Sequence, residues 1–197
     1  PRPLIGNAPP IAEGEDPRAA LAAWITSEEN PYFAKVMVNR VWADMMGRGI
    51  VDPVDDLRGT NPPSNGPLLD ALAADFRAQK FDLKKLIRRI ANSHVYGLGS
   101  LPNERNVVDT RNYSRYYRQR LRAEVLLDAI TAITDVPETF AAMPAGSLAK
   151  ELWTHRIESI FLDAFGRPDP NQDPPCERTG DTTIVQALHL MNARNLY

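Results

Sequence analysis

The 197-residue chain has one cysteine, three histidines and almost no net charge, with 23 Lys and Arg against 25 Asp and Glu for a formal charge of −2. A single cysteine, Cys176, excludes an intramolecular disulfide and any cysteine-rich metal site. His94, His155 and His189 fall at no metal-ligand spacing, and there is no His-Glu-x-x-His, so nothing here implies a bound metal. Near-neutral charge removes the long-range field of a general nucleic-acid or anionic-membrane binder. No apolar run approaches the ~20 residues that a membrane-spanning helix needs. The chain also lacks a Gly-x-Ser-x-Gly elbow, a Gly-rich phosphate loop and a dinucleotide fingerprint, so no cofactor is implied.

What is present is ordinary for a soluble globular protein: 43% hydrophobic and 24% charged residues. At 22.0 kDa one packed core needs no staple. Proline is abundant at 17 residues, and four of these stand in the opening Pro-Arg-Pro-Leu-Ile-Gly-Asn-Ala-Pro-Pro. That stretch suits an extended arm or linker over 1–15 rather than a helix, and it reads as a piece of a longer chain. The remainder, 16–197, reads as a single helical domain.

Its punctuation is helical. Asp16-Pro17 and Asn30-Pro31 each put a capping side chain before a Pro at the first helical position. Helices are predicted near 17, from 31 to about Met46 with a stop at Gly47, and at about 67–79, 83–93, 117–134, 147–165 and 182–193. Asp82 and Thr182 are the expected caps. No segment alternates as a strand would. The expectation is an all-α, irregular multi-helix bundle with long ordered loops at 48–66, 95–112 and 166–181 and an extended N-terminal strap.

In the second helix Phe33, Val36, Met37, Val41 and Met45 share one face, with Arg40 and Asp44 projecting from its middle. A guanidinium there needs partners, and Asp44 or the acids of Val51-Asp-Pro-Val-Asp-Asp can supply them. One reading is an Arg-carboxylate knot that ties the loop to the helix. The other is a carboxylate site in which Asp52, Asp55 and Asp56 hold a hard cation or divide acid and base roles, with Arg40 as electrostatic partner.

Further along, Leu83, Leu86, Ile87 and Ile90 are predicted inward and Lys84, Lys85, Arg88 and Arg89 outward. In the segment 112–122 arginines interleave with Tyr113, Tyr116 and Tyr117, a mixture able to stack on sugars or form a partner interface. Leu121, Val125, Ala129, Ile130 and Ile133 are predicted to face a core, which favours a structural role for this stretch over nucleic-acid binding. Ile184, Leu188 and Met191 form the expected apolar stripe of the last helix, with His189 off it. Asp169-Pro-Asn171-Gln-Asp173 opens like a calcium loop but has Pro174 at the sixth position and Gly180 at the twelfth. Cys176 reads as a small packed residue, since no base is visible for a nucleophile.

Several stretches together resemble one family: Asn30-Pro-Tyr-Phe-Ala, Asn39-Arg-Val-Trp, Gly47-Arg-Gly-Ile-Val-Asp-Pro-Val-Asp-Asp, Asn61-Pro-Pro-Ser, Phe81-Asp-Leu-Lys, Arg120-Leu-Arg-Ala-Glu, Phe165-Gly-Arg-Pro, Cys176-Glu-Arg and Gln186-Ala-Leu. The chain resembles the domain of unknown function found toward the carboxyl end of large planctomycete and related bacterial proteins, downstream of planctomycete cytochrome-c-like domains. The resemblance implies an extracytoplasmic location, periplasmic or secreted, and neighbouring domains that are cytochrome-like or carbohydrate-associated. It implies no established activity. Asp44 and Asn65 stand where the family commonly has histidine, and Pro174 replaces a cysteine, so if those groups hold a metal elsewhere in the family, this member has lost it. Without Cys-x-x-Cys-His, this chain attaches no c-type haem itself.

Two readings follow. The chain is a helical interaction or scaffold module that packs against neighbouring domains of its parent chain. Alternatively it is an extracytoplasmic enzyme acting on carbohydrate through Asp52, Asp55, Asp56 and Arg40, with Asn61 and Ser64 touching substrate.

Overall fold

A computed structural model describes residues 11, 14, 16–28, 30–168 and 183–192. The readings made for Thr182, Cys176 and the loop from Asp169 to Asp173 lie outside these residues, as does nearly all of the arm expected over 1–15. Among the described residues there are seven α-helices and no strand, so the fold is all-α. The chain divides into two compact units, residues 1–118 and 119–197. That boundary falls within the span that the sequence reading treats as one domain.

The first unit holds α1 (Pro17–Ile25), α2 (Tyr32–Met46), α3 (Gly66–Ala78) and α4 (Leu83–Ala91). Local chemistry sets their ends. Asp16 accepts from Arg18 N at 2.9 Å with Pro17 behind it, and Asn30 Oδ1 accepts from Tyr32 N at 2.9 Å and Phe33 N at 3.3 Å. Asn65 and Asp82 cap α3 and α4 at Leu68 N and Lys85 N, both 3.1 Å. Gly47 ends α2 in the left-handed conformation, φ 81°, its N–H on Ala43 O at 2.8 Å.

The core of this unit is built where α2 meets α3 and α4, from Ala34, Val38, Trp42, Met46, Leu69, Ala73, Phe76, Leu86 and Ile90, with Ile50, Val51 and Tyr113 brought in by loops. The buried face of α2 is therefore 34-38-42-46, rotated from the predicted one, and Arg40 and Asp44 are exposed. On α4, Leu86 and Ile90 point inward as predicted, while Leu83 and Ile87 are exposed.

The second unit holds α5 (Ala123–Thr134), a 3₁₀ turn (Ala149–Glu151), α6 (Ile160–Ala164) and α7 (Ile184–Asn192). α5 begins six residues later than predicted, because 118–122 is irregular up to an extended Arg122. The predicted 147–165 helix is two pieces. The Asp128 carboxylate caps the 3₁₀ turn at Ala149 N, 2.6 Å, and Lys150 N, 3.3 Å, and Ser159 Oγ starts α6 afresh at Leu162 N, 3.2 Å. Ala123, Leu127, Phe140, Ala149, Ile157, Phe161, Leu162 and Phe165 form the core. Of the residues predicted inward here, Leu121 just before α5 and Val125 and Ile133 on it are exposed. This helix is apolar on most sides, and periodicity alone does not choose its inner face.

α7 inverts its predicted orientation. Ile184, Leu188 and Met191 are 79%, 53% and 65% exposed, whereas Gln186 is 5% exposed. The Gln186 amide donates to Ala164 O at 2.9 Å and accepts from Arg120 Nη1 at 2.8 Å and Thr183 N at 3.2 Å. His189 stands edge-on to Phe161 and Phe165, with ring centroids at 5.4 and 6.1 Å. A buried amide with both its nitrogen and its oxygen partnered and an imidazole edge seat the helix, and its apolar stripe is left in solvent.

Candidate functional site

The loop after α2 is organised by a residue that the sequence reading did not single out. Asn39 is completely buried, 0% exposed, on the inner side of α2. Its Oδ1 accepts from Val51 N at 2.9 Å, and its Nδ2 donates to Val51 O and Val54 O, both at 2.8 Å. One side-chain amide thus pairs with the backbone of Val51 as a strand neighbour would. The available signal was a lone asparagine between Val38 and Trp42.

With the loop fixed, the acids meet arginines one to one. Arg40 binds Asp55 through two bonds, Nε to Oδ1 at 2.8 Å and Nη2 to Oδ2 at 2.7 Å, both side chains half exposed. Asp52 pairs with Arg48 at 3.0 Å, and Asp56 with Arg58 at 2.6 and 2.7 Å. The sequence reading weighed a single arginine against three acids, but two more arginines come from the loop itself. The Arg58 guanidinium holds the Asp56 carboxyl below the usual carboxylate range, the opposite of what a general acid needs. Asn61 Nδ2 donates to Asp56 O at 2.9 Å and Asp52 O at 3.3 Å, and Ser64 Oγ donates to Ile50 O at 3.0 Å. Both predicted substrate contacts are therefore engaged with the loop backbone.

The three tyrosines are brought to the carboxyl end of α2. Tyr116 Oη donates to Met45 O at 3.0 Å and Tyr113 Oη to Arg48 O at 2.9 Å, satisfying carbonyls at and just past the helix end. Tyr117 Oη accepts from Tyr113 N at 2.9 Å. Tyr113 is buried edge-on against Trp42, at 5.3 Å, and burial pushes its hydroxyl up to about 12.

Asp109 holds the start of this segment, accepting from Arg111 N at 3.0 Å, Asn112 N at 2.8 Å, Ser114 N at 3.0 Å and the Ser114 hydroxyl. These bonds, Ser114 Oγ foremost, hold its carboxyl well below the usual range. A group with a depressed folded pKa adds stability above its unfolded value near 4 and loses it as the pH falls toward the folded value. Urea unfolding is expected to favour wild type over Asp109→Asn by about 1 kcal/mol or less at about pH 6, the group being largely solvated. The difference should shrink as the pH falls below about 4. A constant gap down to about pH 2 would refute the assignment.

Two concavities flank these elements in the first unit. One, of about 950 Å³, lies over α3 and α4, with Trp42 and Tyr113 in its wall. Its rim cations Lys85 and Arg89 are held by Gln79 and Asp75, each at 3.0 Å. The other, of about 570 Å³, is lined by Arg48, Asp52, Arg115, Tyr117 and Arg118 among others. Among the described residues no three His, Cys, Asp or Glu side chains converge as a metal site requires. Among them, too, no helix is long and apolar enough to cross a membrane.

Compared with known proteins, residues 17–196 match the model of a family described as PSD1, protein of unknown function (DUF1553). No curated protein matches the chain, and no solved structure does.

Proposed function

The chain belongs to the PSD1 family of unknown function (DUF1553), and we propose that it serves there as a helical interaction module of a larger, extracytoplasmic multidomain protein. The observation that supports this reading is the outward stripe of α7. Ile184, Leu188 and Met191 lie at i, i+4 and i+7, and Val185 beside them is exposed as well. Leaving such a stripe in water forgoes about 1.5–3 kcal/mol for each side chain that burial would stabilise. The polar face of the same helix is meanwhile committed inward through Gln186 and His189. Trp153 and Ile160 of the same unit are exposed too.

The partner proposed is a neighbouring domain of the parent chain, cytochrome-like or carbohydrate-associated as the resemblance implies. An amphipathic helix docks in an apolar groove by these same i, i+4 and i+7 anchors. The carbohydrate-enzyme reading draws less support, since Asp52, Asp55 and Asp56 each meet an arginine.

The test titrates the chain against each other domain of its parent protein by calorimetry. Binding is expected with one of them, weakened about tenfold or more by Leu188→Glu or Met191→Glu, with an unchanged melting temperature because neither residue is in the core. Failure to bind any of those domains, or equal binding by both variants, would overturn the proposal.

A further inference from the structure

We propose that the 570 Å³ concavity at the carboxyl end of α2 is an oxyanion site, which grips a phosphate or sulfate group through Arg115 and Arg118. Three arginines line it against one aspartate, a local cationic excess in a chain whose formal charge is −2. The aspartate is already matched. Arg48 holds Asp52 through Nη2 at 3.0 Å and spends Nη1 on Thr110 O at 3.2 Å.

The other two arginines have no carboxylate partner among the described residues. Arg115 lies with its Cζ 5.1 Å from the centre of the Tyr117 ring, and its Nε is buried without a hydrogen-bond acceptor among the described residues. Among the described residues Arg118 reaches only Ser100 Oγ, at 3.4 Å. A buried guanidinium N–H left unmatched is costly, and a guanidinium fork is shaped for the paired oxygens of a tetrahedral oxyanion. The cation–π contact with Tyr117 holds the Arg115 guanidinium over the ring before any ligand arrives, which lowers the ordering cost of binding. The volume exceeds that of a bare anion, so the oxyanion is taken as a substituent of a larger molecule. The site uses none of the α7 residues and stands or falls apart from the interaction reading.

The experiment titrates the full chain with inorganic phosphate and, separately, with sulfate, at ionic strength matched by chloride, following the arginine Nε–H signals by NMR. Saturable shifts are expected for Arg115 and Arg118 with both anions and not with chloride. Arg115→Gln and Arg118→Gln should each weaken the affinity about tenfold or more, the loss of a charge-assisted pair. Arg105→Gln, outside the concavity, should leave it unchanged. Arg118 is exposed, so its variant folds whatever becomes of Arg115→Gln. Shifts that chloride reproduces, or wild-type affinity in Arg118→Gln, would overturn the proposal.

Discussion

Asn39→Ala is expected to lower the stability of the first unit by about 3–5 kcal/mol, measured by urea unfolding followed through the buried Trp42. Three hydrogen bonds depend on this side chain: one accepted from Val51 N and two donated to Val51 O and Val54 O. All are lost at once, and Val51 is itself in the core. A buried backbone group stripped of its partner costs about 1–3 kcal/mol, more than the bond contributed on forming. The carbonyl of Val54 is the more accessible of the three and recovers water, which keeps the sum below the upper limit. Asn39→Asp should be no better, since a carboxylate accepts from Val51 N but cannot donate to either carbonyl and brings a buried charge. The exposed Arg40–Asp55 pair, by contrast, is worth under about 1 kcal/mol despite its two short bonds. A loss under about 1 kcal/mol for Asn39→Ala would mean that the loop holds its shape without the amide.

That contrast explains what could be read in advance. Helix ends were legible because they are set by neighbours in sequence. Asp16, Asn30, Gly47 and Asp82 act within four residues of themselves, and the structure finds each at its predicted task. Helix faces were not legible where apolar residues surround the axis, as on α5, or where a polar residue is the one buried, as with Asn39 and Gln186. A hydrophobic-face argument sends both amides to solvent. Only the three-dimensional supply of backbone partners, Val51 and Val54 for one and Ala164 for the other, reverses it. The acidic run was legible as a partner for arginine but not in its pairing, because Asp52 and Asp56 take Arg48 and Arg58, four and two residues away, and leave only Asp55 to Arg40. The tyrosines likewise gave no hint that their hydroxyls close the end of α2, since residues 45 and 116 are 71 apart in sequence.

The second large effect belongs to Gly49, in the same loop. A Cβ added there would collide with the Val51 carbonyl oxygen and lie 3.0 and 3.1 Å from Asn39 Nδ2 and Oδ1. The obstacle is backbone on one side and the buried clamp on the other, so no flexible side chain can swing away. Gly49→Ala is therefore expected to cost about 3 kcal/mol, the upper range of overpacking. Gly59→Ala, where a Cβ meets nothing within 4 Å, should stay within about 0.5 kcal/mol of wild type or gain slightly. The two variants share composition and loop, so their difference isolates the close approach. Because the added methyl strikes the atoms that Asn39 binds, the double variant Asn39→Ala with Gly49→Ala should lose less than the two losses added, by about 1 kcal/mol or more. Once the clamp is gone, Val51 is free to retreat from the new Cβ and part of the clash has already been relieved. Strict additivity would show that Gly49 and Asn39 act on the loop separately, and that the amide does not set the path of Val51.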